Sequence, residues 1–174
     1  YQKGTVKCTD LSKNVFLCKY QCNHHQRLFY KKSLLMNDYH QRLAFSLGTR
    51  VGEDLEFQYK YLTRCQRPAR LDAVLYNYRL REGSATQDEN YRRKNLEDLP
   101  QVIERLLNWC DDEKVKPEPW LEMRIQQMFQ NLLYSASLVN GVNKKALQQT
   151  VRRLLDAWRE EGFTFPDSVK MKLA

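Results

Sequence analysis

No apolar stretch in this chain approaches the roughly 18 residues that a bilayer-crossing helix needs, so nothing in it reads as a membrane span. Residues 1–10 lack the apolar centre of a secretory leader. Five cysteines (Cys8, Cys18, Cys22, Cys65 and Cys110) make an odd number without a dense framework. That argues against a disulfide-stapled secreted fold and fits a reduced, cytoplasmic chain. Between Cys18 and His25, two thiols and two imidazoles crowd into eight residues, the ligand types zinc prefers. No second ligand pair follows at a finger spacing, so ordinary cysteines are the simpler reading. Internal repeats and low-complexity tracts are absent, and so is an initiating methionine. The Tyr1 start predicts a piece cut from a longer polypeptide.

What is present is an ordinary polar globular composition: 174 residues, 42% hydrophobic and 29% charged, with a formal net charge of +8. The charge is unevenly placed. Residues 1–87 hold 15 Lys and Arg against 7 Asp and Glu, whereas residues 88–174 hold 14 of each. A basic half favours an anionic partner, either a nucleotide diphosphate, a lipid surface or nucleic acid.

The patterning also divides near Gln87. Residues 15–18 read as a short strand or buried segment, 27–31 as another leading into a turn of helix at 33–36, and 37–52 as a long loop with Gly48 and Gly52. Leu55, Tyr59 and Leu62 predict a helix over 55–64, which Pro68 prevents from running on. Residues 71–81 alternate as a strand. Beyond, three stripes at helical spacing predict a small bundle. The first runs from Leu99 to Cys110, with Asp98 as N-cap and Pro100 in the first turn. The second runs from Leu121 to Ala136 after Pro117 and Pro119. The third runs from Leu147 to Trp158, entered at Asn143 and closed by Gly162. The expected fold class is α/β (an α+β fragment): residues 1–87 as part of a catalytic domain, residues 88–174 as a helical region.

Two segments concentrate chemistry. Gly52-Glu53-Asp54-Leu55-Glu56-Phe57 sets two adjacent acids at a helix start. There they serve either to cap free amides against the helix dipole or to supply an ionised general base. Leu75-Tyr76-Asn77-Tyr78-Arg79-Leu80-Arg81-Glu82-Gly83-Ser84 sets Arg79 and Arg81 on one strand face. Two guanidinium forks there clasp a diphosphate or merely guard an edge strand. Ser84 either adds a hydroxyl or ends the turn.

Taken together, Phe45 to Phe57 and Leu75 to Ser84, preceded by Arg27-Leu28-Phe29-Tyr30-Lys31-Lys32-Ser33-Leu34-Leu35, resemble the later half of family-two glycosyltransferases of the bacterial polysaccharide-building kind. That family's pattern there is a Phe, a short Gly-containing loop, a Gly-Glu-Asp helix start and a Tyr-x-Tyr-Arg-x-Arg strand ending near Gly-Ser. Three blocks agree in order and spacing across roughly residues 23–86. Arg27 stands where the family has lysine, keeping charge but not geometry.

The resemblance implies a GT-A-like domain and a single-displacement, inverting transfer of sugar from a nucleotide-diphosphate donor to a saccharide or lipid-linked acceptor. Asp54 would be the base and Glu53 would help position the acceptor. Arg79, Arg81, Ser84 and Arg27 would lie by the donor phosphates or substrate. It also implies Mn²⁺ or Mg²⁺ in the full-length enzyme, none of it held by this chain. The family's opening apolar strand, Asp-Gly-Ser turn and Asp-x-Asp pair are absent from this sequence. It therefore reads as the acceptor-side portion, inactive without a nucleotide-binding N-terminal half. The expected location is cytoplasmic, with peripheral contact at the inner membrane face an open option. A nucleic-acid partner is disfavoured, because the basic excess follows no recognisable nucleic-acid motif. The competing reading is a basic helical interaction domain without catalysis.

Overall fold

The computed structural model describes residues 8–10, 35, 42–66, 69–71 and 89–164. Four helices carry these residues: α1 Glu53–Arg64, α2 Glu89–Asp112, α3 Pro119–Leu138 and α4 Lys144–Glu160. The strand pairing among them is a three-residue antiparallel ladder, β1 Cys8–Asp10 against β2 Ala69–Leu71, with Thr9 opposite Arg70. For the described residues the expected α/β class is therefore corrected to an all-helical fold. A three-residue ladder encloses no core, whereas the 3.6-residue stripes of the helices do. The strand expected over 71–81 meets β2 only at Leu71, and residues 72–81 lie outside the described residues. So do the segments expected at 15–18 and 27–31 and the Cys18–His25 cluster.

Each helix buries one stripe in a shared core. Tyr59 and Leu62 of α1 join Leu99, Val102, Ile103 and Leu106 of α2, Trp120, Ile125 and Phe129 of α3, and Val151, Leu154 and Trp158 of α4. Leu43, Phe57 and Tyr61 form a smaller cluster on the other side of α1. Burial pushes the Cys110 thiol up to about 12, which leaves it an inert core residue. No described helix is long and apolar enough to cross a membrane.

Helix ends follow local chemistry, with one correction. Pro119 opens α3 at its first position, where a missing N–H costs nothing. The Asn143 side chain accepts the Ala146 N–H at 3.0 Å and caps α4. At the other end Gly162, with φ of 84°, permits the reversal in which Phe163 N–H donates to Trp158 C=O and Gly162 N–H to Arg159 C=O. The Phe163 ring then packs edge-on against Trp158 at 4.6 Å. Asp98, expected as an N-cap, instead lies within α2, which starts at Glu89. Pro100 consequently occupies a helix interior and cannot donate to the Leu96 carbonyl, a loss of about 3 kcal/mol in an unsupported helix. Complete burial of the flanking Leu99, Val102 and Ile103 offsets it.

Candidate functional site

The entry to α1 is fixed by backbone geometry. Gly52 takes φ of 84° immediately before the helix, and a Cβ there would meet Leu99 Cδ2 at 3.1 Å. Only glycine satisfies both demands. The first turn then presents Glu53, Asp54 and Glu56 to the positive end of the helix dipole.

These three acids have different surroundings. Glu56 is 2% exposed and accepts from Ser46 Oγ at 2.8 Å, Lys60 Nζ at 2.6 Å, and Arg105 Nε and Nη2 at 2.9 and 2.7 Å. Burial alone would raise its pKa. The hydrogen bonds from Arg105, Lys60 and Ser46 outweigh that and hold it below the usual carboxylate value. Arg105 Nη2 also donates to Thr49 Oγ1, so Glu56 and Arg105 tie the 43–52 loop to α1 and α2. Asp98 completes the tie by accepting the Arg50 and Val51 N–H groups at 2.8 and 3.0 Å. The residue expected to cap α2 thus caps the loop that delivers α1. Stacking of Phe45 on Phe57, at 4.4 Å, closes its outer side.

Asp54 is half-buried, and its Oδ1 accepts the Leu55 N–H at 2.8 Å. It lines an open cleft of about 580 Å³ between α1, α2 and α3. The opposing walls mix polar side chains, Tyr91, Arg92 and Asn95 from α2 and Gln127, Asn131 and Tyr134 from α3, with the apolar Leu99 and Met128. Asn95 Nδ2 donates to Ser135 Oγ at 3.1 Å across the buried end. Burial, then the Asp54 and Glu53 carboxylates, raise the pKa of Tyr91, so its hydroxyl keeps its proton beside the acids. Burial and Asp54 likewise raise Tyr59, against a lowering by Arg124. Chemically, the cleft offers one carboxylate facing a guanidinium, hydroxyl and amide groups, donors and acceptors suited to a polyhydroxylated molecule.

Of the residues singled out from sequence, Asp54 lines this cleft. Glu53 is half-buried beside it in the same turn. Arg27, Arg79, Arg81 and Ser84 lie outside the described residues. Tyr91, Asn95, Gln127 and Asn131 were missed, because a polar residue at the margin of an amphipathic stripe reads as solvent-facing until the packing partner is known. Among the described residues no three His, Cys, Asp or Glu side chains converge as a metal centre. Comparison with family models, with curated proteins and with solved structures returns no match for this chain.

Proposed function

We propose that this chain is the acceptor-side portion of an inverting nucleotide-sugar glycosyltransferase, with Asp54 as general base. The observation that carries the reading is the position of Asp54: first turn of α1, half-buried, at the wall of a cleft whose polar lining is the Arg92 guanidinium with hydroxyl and amide side chains, over Val51, Leu55, Leu99 and Met128. An acceptor hydroxyl attacks the anomeric carbon while the Asp54 carboxylate takes its proton, and the carbon–oxygen bond to the nucleotide diphosphate breaks with its electron pair leaving on phosphate. The Mn²⁺ or Mg²⁺ that the resemblance implies belongs to the nucleotide-binding half, and among the described residues no three His, Cys, Asp or Glu side chains converge. In this reading Glu53 is a positioning residue, and Glu56 serves the fold: its lone pairs are taken by Ser46, Lys60 and Arg105. Donor binding belongs to a nucleotide-binding half together with Arg79, Arg81, Ser84 and Arg27.

The test is Asp54→Asn in a protein that carries the nucleotide-binding half. Loss of a general base lowers kcat about 10²- to 10⁴-fold, with nucleotide-sugar binding unchanged. The all-helical fold of the described residues favours a second reading, a basic helical interaction domain in which Glu53 and Asp54 are helix-start acids only. Retention of full transfer activity by the Asn variant would select it.

A further inference from the structure

Acids and bases are not mixed evenly over the described helices. Between Glu122 and Asp156 there is no Asp or Glu, while Arg124, Lys144, Lys145, Arg152 and Arg153 all fall in that interval. It spans most of α3, the turn after it and two-thirds of α4. Arg124 is buried, whereas Lys144, Lys145, Arg152 and Arg153 are exposed along α4, Arg153 pairing with Glu104 at 2.7 Å. Lys144 and Lys145 occupy its first two positions with no acid in the first turn. Cations there oppose the positive end of the helix dipole, a placement that lowers helix stability. From α2, Arg93 Nη2 reaches the Asn140 carbonyl at 3.4 Å and adds a third cation to this end of the bundle.

The same end exposes apolar surface. Tyr134 is 63% exposed and Leu138 41%, four residues apart on one face of α3. Beside them an apolar groove of about 440 Å³ runs between α3 and α4, lined by Leu133, Tyr134, Ala136 and Leu147 with Lys144 at its edge.

We propose that this end of the bundle, the groove with Tyr134, Leu138, Lys144 and Lys145, docks peripherally on an anionic lipid surface. Acid-free cationic sequence beside an exposed Leu and Tyr is the complement of a negatively charged headgroup layer over hydrocarbon. The anionic surface also accounts for two lysines at a helix start, because lipid phosphates supply the negative charge that the first turn of α4 lacks. Tyr134 lines both this groove and the Asp54 cleft, so docking sets that cleft beside the membrane. The proposal does not rest on the transfer reading, because lipid binding is measured without a donor or acceptor.

Flotation of the full chain with vesicles tests it. The chain should float with phosphatidylcholine vesicles containing phosphatidylglycerol, not with pure phosphatidylcholine, and added salt should release it. Lys144→Gln and Lys145→Gln should each weaken partitioning about five-fold. Leu138→Ser should weaken it roughly ten-fold. The lysine changes relieve charge at the α4 start, so their melting temperatures should hold or rise, which separates lost docking from lost fold. Equal flotation with both vesicle types, no flotation, or variants that bind like the parent would overturn the proposal. So would concentration-dependent self-association abolished by these substitutions, which would assign the face to a second copy of the chain.

Discussion

Glu56 shows how a single carboxylate separates fold from chemistry inside one short motif. It stands two residues after Asp54 and would pass for a member of the same acidic group, yet it is sealed and accepts four hydrogen bonds. Replacing it with Gln leaves Arg105 and Lys60 without their counter-charge in a partly buried place, at a cost of about 2–3 kcal/mol. For a chain of this size that lowers Tm by roughly 4–10 °C. The pH dependence has a fixed sign. Because the folded pKa of Glu56 lies below its ordinary value of 4.5, its contribution is fully present above that value and is lost as pH falls through the folded pKa. Thermal melts from pH 6 down into that acidic window should therefore drop more steeply for the parent than for Glu56→Gln. Parallel curves would show that the cluster contributes no net stability. Sequence had no means of telling Glu56 from Asp54, since the difference lies in Arg105, 49 residues away.

At the scale of elements, the helix stripes were legible and their beginnings only partly so. Asn143 and Gly162 bound α4 as expected, because capping chemistry is local and needs no partner element. The start of α2 was misplaced at Asp98 because an acid followed by a proline looks like a helix entry. Burial of the Leu99 to Cys110 stripe holds the helix through the proline, and the Asp98 carboxylate serves a different segment. Gly52 joins the two. Its positive φ and its contact with Leu99 mean that Gly52→Ala adds about 1 kcal/mol of backbone strain and a comparable packing cost against Leu99 and Val102. Gly162→Ala meets only Pro117 at an ordinary 3.6 Å and bears the first cost alone. Denaturant titration should rank Gly52→Ala as the more destabilising, by roughly 1 kcal/mol. Because α1 carries Asp54, only the Gly52 change should also perturb the cleft, read as a shifted Tyr91 ring resonance. Equal costs would mean that the α2 side chains yield freely.

Across the whole molecule, the composition break near Gln87 and the physical core do not follow the same line. Strand-like alternation, basic charge and α1 all precede that break. Yet Tyr59 and Leu62 of α1 are buried among side chains of α2, α3 and α4. Periodicity announces that a helix has an apolar face without saying what that face meets, so the seating of α1 could not be read from its stripe. The consequence is cooperative. All three tryptophans, Trp109, Trp120 and Trp158, belong to α2, α3 and α4, and two of them also touch α1: Trp109 Nε1 donates to Thr63 Oγ1 at 3.0 Å, and the Trp120 ring meets Tyr59 edge-on at 6.4 Å. Leu62→Ala removes a buried side chain from α1 at a cost of about 3 kcal/mol. If one core unites the four helices, the fluorescence transition should fall by the same roughly 6–12 °C as the far-ultraviolet circular dichroism transition. A helix merely leaning on an independent bundle would behave otherwise: an earlier loss of helicity with a partial change in fluorescence would appear, while the main tryptophan transition stayed at its parent temperature. Coincident shifts place Asp54 on the rigid body that also carries Asn95, Gln127 and Asn131, and a preorganised cleft needs that rigidity.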